Sequence, residues 1–380
     1  MLIGRKPEIE EFKDAYDSGR AEFVAIYGRR RVGKTFLVKS LYESEFSFYY
    51  TGVANSVLKE QLAGFYEALR EYGGSKSLPD TAPLDWFGMF RALRRLLESS
   101  KRKRKIVFLD ELPWMDTPKS NFVKALEHFW NNWASARNEI MLIVCGSAAS
   151  WVINKLIHDR GGLHNRVTRR ISLLPFSLAE CEEYYKANKF RVSRSQILEN
   201  YMIFGGIPFY LNLLRKKDNL PANIDRLCFR EGGALREEFD LLYSSLFKDS
   251  ERHMLIVRAL AQKSKGLTRE EIVKTAGVPN GGTLTKNVRE LELSGFVRVY
   301  RPFGKKVRGS LYQLVDPYTL FYLKFIEKGP TDDEAYWAKF RESPLFRSWS
   351  GYAFEQVCLA HTKQIKRALG ISGIITNTSS

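Results

Sequence analysis

The run Gly28-Arg29-Arg30-Arg31-Val32-Gly33-Lys34-Thr35 has the spacing G-x-x-x-x-G-K-[ST]. Residues of these types at this spacing bind phosphate. The glycines let backbone amides turn inward around anionic oxygens, and a helix N-terminus adds a positive dipole. A lysine at position 34 reaches β- and γ-phosphates, and a threonine hydroxyl at 35 is a Mg²⁺ ligand. The flanks suit that chemistry. Phe23-Val24-Ala25-Ile26-Tyr27 enters the loop as an apolar strand, and Phe36 to Tyr42 leaves it as a helix. Gly28, Arg31, Val32, Gly33, Lys34, Thr35 and Phe36 are therefore the candidate residues of an ATP site.

A second acidic element complements the loop. Ile106-Val107-Phe108-Leu109 is a continuous apolar run that ends in Asp110-Glu111. Such a run reads as a buried parallel strand, and open α/β sheets hold ligands at the carboxyl ends of their strands. Asp110 is placed to hold Mg²⁺, directly or through water, together with Thr35. Glu111 follows it, where a carboxylate can polarise water for attack on a γ-phosphate. The alternative is that the two acids only cap the helix after Leu112-Pro113. Met141 to Cys145 is another apolar strand, and Ser147 at its tip is a candidate γ-phosphate sensor.

These residues need a scaffold. Expected strands are 23–27, 46–50, 106–109, 140–145 and 168–173, with helices between them such as 57–71, 86–99 and 119–135. Strict alternation implies an α/β fold with a parallel sheet covered on both faces. The preceding run Lys101-Arg102-Lys103-Arg104-Lys105 is expected to be solvated. The expected domains are a P-loop core over 1–175, a helical lid over 176–248, a winged helix-turn-helix over 249–316 and a helical linker over 317–380. In the third, Thr268 with Glu271 forms a capping box. Its recognition helix carries Thr283, Thr285, Lys286, Asn287 and Arg289, and its wing carries Lys305, Lys306 and Arg308. Lys286, Arg289, Lys305, Lys306 and Arg308 are the candidate nucleic-acid contacts. The same module could instead hold protein.

The whole chain sets the boundaries of function. It has 380 residues, 44% hydrophobic and 27% charged, the composition of an ordinary globular protein with more than one domain. The net charge of +17 fits a polyanionic partner, DNA above all. No stretch has the about 20 apolar residues of a membrane helix, and the start lacks a signal-peptide core, so a cytoplasmic location is expected. Cys145, Cys181, Cys228 and Cys358 are far apart and form no C-x-x-C pair, which points to reduced thiols.

In combination these segments resemble the archaeal-type AAA+/STAND-like P-loop ATPases found in archaea and in bacteria such as Bacteroides. The resemblance rests on Ile3-Gly4-Arg5 with Glu8, Tyr27 to Thr35, and Phe108-Leu109-Asp110-Glu111-Leu112-Pro113-Trp114. It also rests on Cys145-Gly146-Ser147, Leu174-Pro175-Phe176-Ser177 and Gly205-Gly206-Ile207-Pro208. It implies Gly4 and Arg5 near the adenine, and Pro208 of the lid near the nucleotide. It implies that Arg166 senses γ-phosphate in cis or acts as an arginine finger in trans, which would need a homo-oligomer. It further implies a place in a nuclease-containing defence or mobile-element system. Gly351 to Gly373 resembles the start of a PD-(D/E)XK-type nuclease domain, with Glu355 as its early acid. The sequence stops at Ser380, before any D…E-x-K segment, so nuclease activity is not expected of this chain.

Overall fold

The computed structural model describes residues 1–73, 81–157, 162–163, 165–301, 309–328, 333 and 335–374. They form two compact units, Met1–Leu174 and Pro175–Ser380.

The first unit is a five-stranded sheet. Its strands are β1 (Glu22–Tyr27), β2 (Phe46–Thr51), β3 (Lys105–Asp110), β4 (Ile140–Gly146) and β5 (Arg169–Ser172), in the order β2-β3-β4-β1-β5. Every pairing is parallel. The expected strands thus all form, with ends moved by one or two residues. β4 is buried along its whole length. That is why its sequence is continuously apolar and does not alternate.

Helices cover both faces. They are α1 (Lys6–Asp17), α2 (Lys34–Tyr42), α3 (Leu58–Gly73), α4 (Trp86–Ser99), α5 (Leu112–Met115), α6 (Phe122–Asn132) and α7 (Ala149–Val152). α4 buries Trp86, Met89, Phe90, Leu93, Leu96 and Leu97, a helical stripe. That stripe joins an aromatic layer: Phe65–Trp86 at 5.3 Å, Trp86–Phe122 at 4.9 Å and Phe48–Phe65 at 4.8 Å. Side chains alternate across a strand, so Tyr49 leaves the other face of β2. There its ring lies 4.5 Å under the Lys39 ammonium of α2.

The basic run before β3 is not simply solvated, which corrects the sequence expectation. Arg104 donates to the carbonyls of Arg20 (2.8 Å), Ala15 (2.7 Å) and Asn138. Arg102 donates to Ser44 O at 3.1 Å. These guanidiniums close carbonyls of α1 and of the connecting segments at the amino end of the strands, opposite the phosphate loop. Lys101 and Lys103 remain exposed.

The second unit begins with helices α8 (Leu178–Ala187), α9 (Arg194–Phe204), α10 (Pro208–Asn212), α11 (Leu220–Ile224) and α12 (Glu238–Leu246). Gly205 caps α9 at φ 64°, and Pro208 opens α10. Gly206 has φ +69°, and a Cβ there would lie 2.2 Å from Phe176 O. No side chain fits that backbone approach.

Next come α13 (Ser250–Ala261), α14 (Arg269–Ala276), α15 (Gly282–Leu293) and the antiparallel pair β6 (Val297–Tyr300) and β7 (Leu311–Leu314). A bridge from Leu267 to Tyr312 adds a third short segment. Three helices and a hairpin in this order make a winged helix-turn-helix. Thr268 caps α14 with Glu271 in the expected box. His253 of α13 meets Glu290 of α15 at 2.9 Å, which fixes α15 on α13. Helices α16 (Pro317–Phe321), α17 (Tyr336–Phe340), α18 (Pro344–Ala360) and α19 (Thr362–Ala368) follow. Glu355 is exposed on α18.

Candidate active site

The phosphate loop lies between β1 and α2, and its backbone explains its glycines. Gly28 has φ +149°, and a Cβ there would meet Leu173 O at 2.2 Å. Gly33 stands at the N-cap of α2 with φ 91° and ψ 28°, the left-handed region that favours glycine. Arg31 is also left-handed, at φ 72°. The chain then enters α2, whose first-turn amides have no carbonyl partners within the helix and carry its positive end.

Lys34 is 5% exposed. Its Nζ donates to Gly28 O and Arg29 O, each at 3.0 Å, and to Ser147 Oγ at 3.3 Å. Ser147 follows β4, which lies between β1 and β3. The strand order therefore brings residues more than a hundred positions apart to one ammonium. Thr35 Oγ1 donates to Asp110 Oδ2 at 2.7 Å. Asp110 ends β3 and is 2% exposed. Burial raises its carboxyl above the usual range, while the Thr35 hydroxyl acts the other way.

Glu111 comes next at φ 52°, a strained left-handed conformation for a non-glycine residue. Its carboxylate accepts from Ser147 N at 3.1 Å and from Ser147 Oγ. Two hydrogen-bonded groups result, Lys34–Ser147–Glu111 and Thr35–Asp110, and the Glu111 amide joins them by donating to Asp110 Oδ1 at 3.0 Å. Glu111 and Lys34 meet through a single hydroxyl.

Other candidates lie elsewhere. Phe36 is 54% exposed on the first turn of α2, and Val32 is buried. Arg5 is buried, with its guanidinium on the carbonyls of Val32 and Leu174. Gly4 adjoins it at φ 63°. Pro208 belongs to the second unit, as do Lys286 and Arg289, which are exposed on α15. Asn287, grouped with them in the sequence, is only 4% exposed and corrects that reading: it faces the core with Leu284, Val288 and Leu291. Lys305, Lys306 and Arg308 lie outside the described residues.

Arg166 is exposed just before β5. Thr168 N donates to Phe23 O at 2.9 Å, so this segment lies beside the start of β1. The phosphate loop begins at the other end of that strand. The five steps of the six-residue β1, at about 3.3 Å each, separate the two ends by about 17 Å. An arginine side chain cannot cross that distance. The expectation that Arg166 reaches the γ-phosphate of its own site is therefore corrected.

Sequence reading missed Gly52 and gave Gly146 no role beyond its place in Cys145-Gly146-Ser147. A Cβ on Gly146 would approach Val152 (2.8 Å) and Pro113 (3.0 Å), and one on Gly52 would meet Glu111 O at 2.7 Å. Both glycines let backbone close around the acidic pair. Each carries a sequence signal: it follows an apolar strand at its carboxyl end.

A parallel sheet with a lysine–threonine phosphate loop and an aspartate–glutamate strand end defines a P-loop ATPase. The chain belongs to the ATPase domain family described as predominantly from Archaea, whose match covers residues 2–214. It is 26% identical over 370 residues to an uncharacterized protein of Methanocaldococcus jannaschii, covering 94% of this chain and 76% of that one. An uncharacterized ATP-binding protein of the same organism is 40% identical over 45 residues, which is 12% of this chain and 76% of that protein. A Walker-type ATPase of Pyrococcus abyssi shares the fold at a TM-score of 0.59 and 17% identity, covering 85% of this chain and 96% of that one. No described helix is long and apolar enough to cross a membrane.

Proposed function

We propose that this ATPase hydrolyses ATP with Mg²⁺ and that its nucleotide state governs DNA binding through the winged helix. The observation that carries the catalytic half is the joint presence of Lys34, Ser147 and Glu111 in one hydrogen-bonded group. Lys34 would lie against the β- and γ-phosphates, and Ser147 would bond a γ-phosphate oxygen. The Glu111 carboxylate would then turn from Ser147 to a water and take its proton as that water attacks the γ-phosphorus and the bond to the β-phosphate oxygen breaks, so that ADP and phosphate leave.

The residues fit a magnesium ion. Thr35 Oγ1 and Asp110 Oδ2 are adjacent hard oxygens, 2.7 Å apart. Among the described residues no group of three or more His, Cys, Asp or Glu could hold a metal. A pair of oxygens suits Mg²⁺, which keeps most of its waters and takes the rest of its ligands from phosphate. When bound, the ion would neutralise charge on the β- and γ-oxygens.

The DNA half is supported by the exposed Thr283, Thr285, Lys286 and Arg289 of α15 and by the net charge of +17. A second reading, an ATP-switched protein-binding module, has its own support. Lys286 lies 4.0 Å from Glu290, and Arg289 lies 2.7 Å from Glu292, so carboxylates on the same helix partly offset its charge. Steady-state ATP turnover with and without duplex DNA, together with DNA affinity in the ATP and ADP states, tests the proposal. Affinity that is equal in both states, with turnover indifferent to DNA, leaves the protein-binding reading.

A further inference from the structure

We infer that Arg5 is a positioning residue of the phosphate loop: it sets the direction of the Gly33 amide and ties the loop to the end of β5. The guanidinium is 4% exposed. Its Nη2 donates to Val32 O at 3.0 Å, and its Nη1 donates to Leu174 O at 2.7 Å. Glu8 stands 4.0 Å from Nη1, one turn along α1. Arg5 itself holds a left-handed conformation, φ 60° and ψ 23°, at the N-cap of α1. A non-glycine residue keeps that backbone only where its surroundings over-determine it.

The effect on the loop follows from peptide geometry. The bond between Val32 and Gly33 is trans and planar, so the carbonyl of Val32 and the N–H of Gly33 point in opposite directions. Arg5 holds that carbonyl from outside the loop. The Gly33 amide is thereby turned to the other side, toward the space that the loop encloses. Gly33 has φ 91°, and nothing lies within 4 Å of a Cβ built on it, so its Cα faces open space while its carbonyl accepts from Leu37 N at 2.9 Å. The second arm of the fork acts on the same wall. Leu173 N donates to Tyr27 O at 2.7 Å, and Leu173 O packs against Gly28. Arg5 thus holds both ends of the loop, Val32 directly and Gly28 through the Leu173–Leu174 segment. A planar fork with fixed N–H directions can span two carbonyls, whereas a lysine ammonium is a single point donor group on a flexible stem.

The inference rests on nucleotide binding at this loop, and the test separates the two. The affinities of Arg5→Lys for ATP and for inorganic tripolyphosphate are measured by competition against a fluorescent ATP analogue, with kcat at saturating ATP and Tm alongside. Both ligands should weaken by the same factor, about tenfold, because hydrogen bonds to charged groups have that worth. kcat at saturation should stay within about threefold, since the fork acts on the Val32 and Leu174 carbonyls of the loop wall. Weakening of ATP alone assigns Arg5 to the base and overturns the inference. Wild-type affinity for both ligands in the folded variant overturns it too, as does loss of kcat in step with Tm. Lys34→Ala should lose both ligands. If it keeps them, the site itself is elsewhere, and the Arg5 inference falls with it.

Discussion

Lys34 has three hydrogen-bond partners within the protein, and this decides what its removal does. Lys34→Ala leaves two loop carbonyls and the Ser147 hydroxyl without their donor, yet it leaves the apolar core of the sheet intact. ATP affinity should fall at least about 100-fold, with Tm lower by only a few degrees. Nucleotide titration and thermal melting check this, and near-normal turnover by the folded variant would remove the catalytic reading. Glu111→Gln is a different experiment. The amide keeps an acceptor for one of the two Ser147 donors but cannot take a proton. ATP binding should persist, while kcat falls about 10²–10⁴-fold. Asp110→Asn should instead raise the Mg²⁺ concentration needed for half-maximal rate. At this scale the motif residues were legible, because phosphate and Mg²⁺ chemistry dictates their types and spacing. The hydrogen bonds of Arg5 were not. They depend on where Val32 and Leu174 come together in space, and carbonyls carry no sequence signature.

Helices and strands were legible wherever burial was one-sided or complete. The stripe of α4 and the continuous apolar run of β4 each announce their element. Asn287 shows the limit. It was grouped with its charged neighbours by type, but the period of α15 puts it on the face of Leu284, Val288 and Leu291. Helical phase outranks residue type here, and it was readable. The basic run before β3 failed for another reason. Arg102 and Arg104 answer carbonyls from distant segments, which no local pattern reveals. With Asn287 removed from the interface, the described cations of α15 are Lys286 and Arg289. Their double replacement by alanine should weaken DNA binding similarly for all sequences. It should also make the salt slope shallower by about 0.9 for each phosphate left without its cation. Titrations at several salt concentrations read this directly, and an unchanged slope would favour the protein-binding module.

A buried acid at a helix joint gives a prediction of stability at the same scale. Asp225 follows α11 and accepts from Trp337 N of α17 at 2.7 Å. Its other oxygen has no hydrogen-bond partner among the described residues. Burial raises its carboxyl to about 6, against the pull of the Trp337 amide and Arg230. The sign follows. Between about 4 and 6 the unfolded chain has lost this proton and the folded chain keeps it, so stability falls as pH rises through that window. Above about 6 the full cost is present. Asp225→Asn keeps an acceptor for Trp337 and removes the charge. Its Tm should therefore exceed that of the wild type at pH 8 and approach it near pH 4. Melting curves across this range test the claim, and a Tm difference that does not vary with pH would refute it.

At the scale of the molecule, the strand order decides what Arg166 can do. The sheet sets the phosphate loop at the carboxyl end of β1 and Arg166 beside the amino end, about 17 Å away. An arginine finger at that place can serve only the site of another copy. A cation supplied in trans stabilises the charge that develops on the transferred phosphoryl group, and its loss costs about 10³–10⁵ in rate. If Arg166 has this role, specific activity should rise with protein concentration as copies associate. Arg166→Ala should then bind ATP normally and turn it over slowly at any concentration. Lys34→Ala should be inactive for the opposite reason, having the finger but no usable site. Mixing the two should recover activity, because an Arg166→Ala copy offers an intact phosphate loop and a Lys34→Ala copy offers an intact arginine. Recovery in the mixture, measured against each variant alone at equal total concentration, supports assembly through this residue. Turnover that is independent of concentration, with no recovery on mixing, would leave Arg166 an exposed cation with no part in the chemistry.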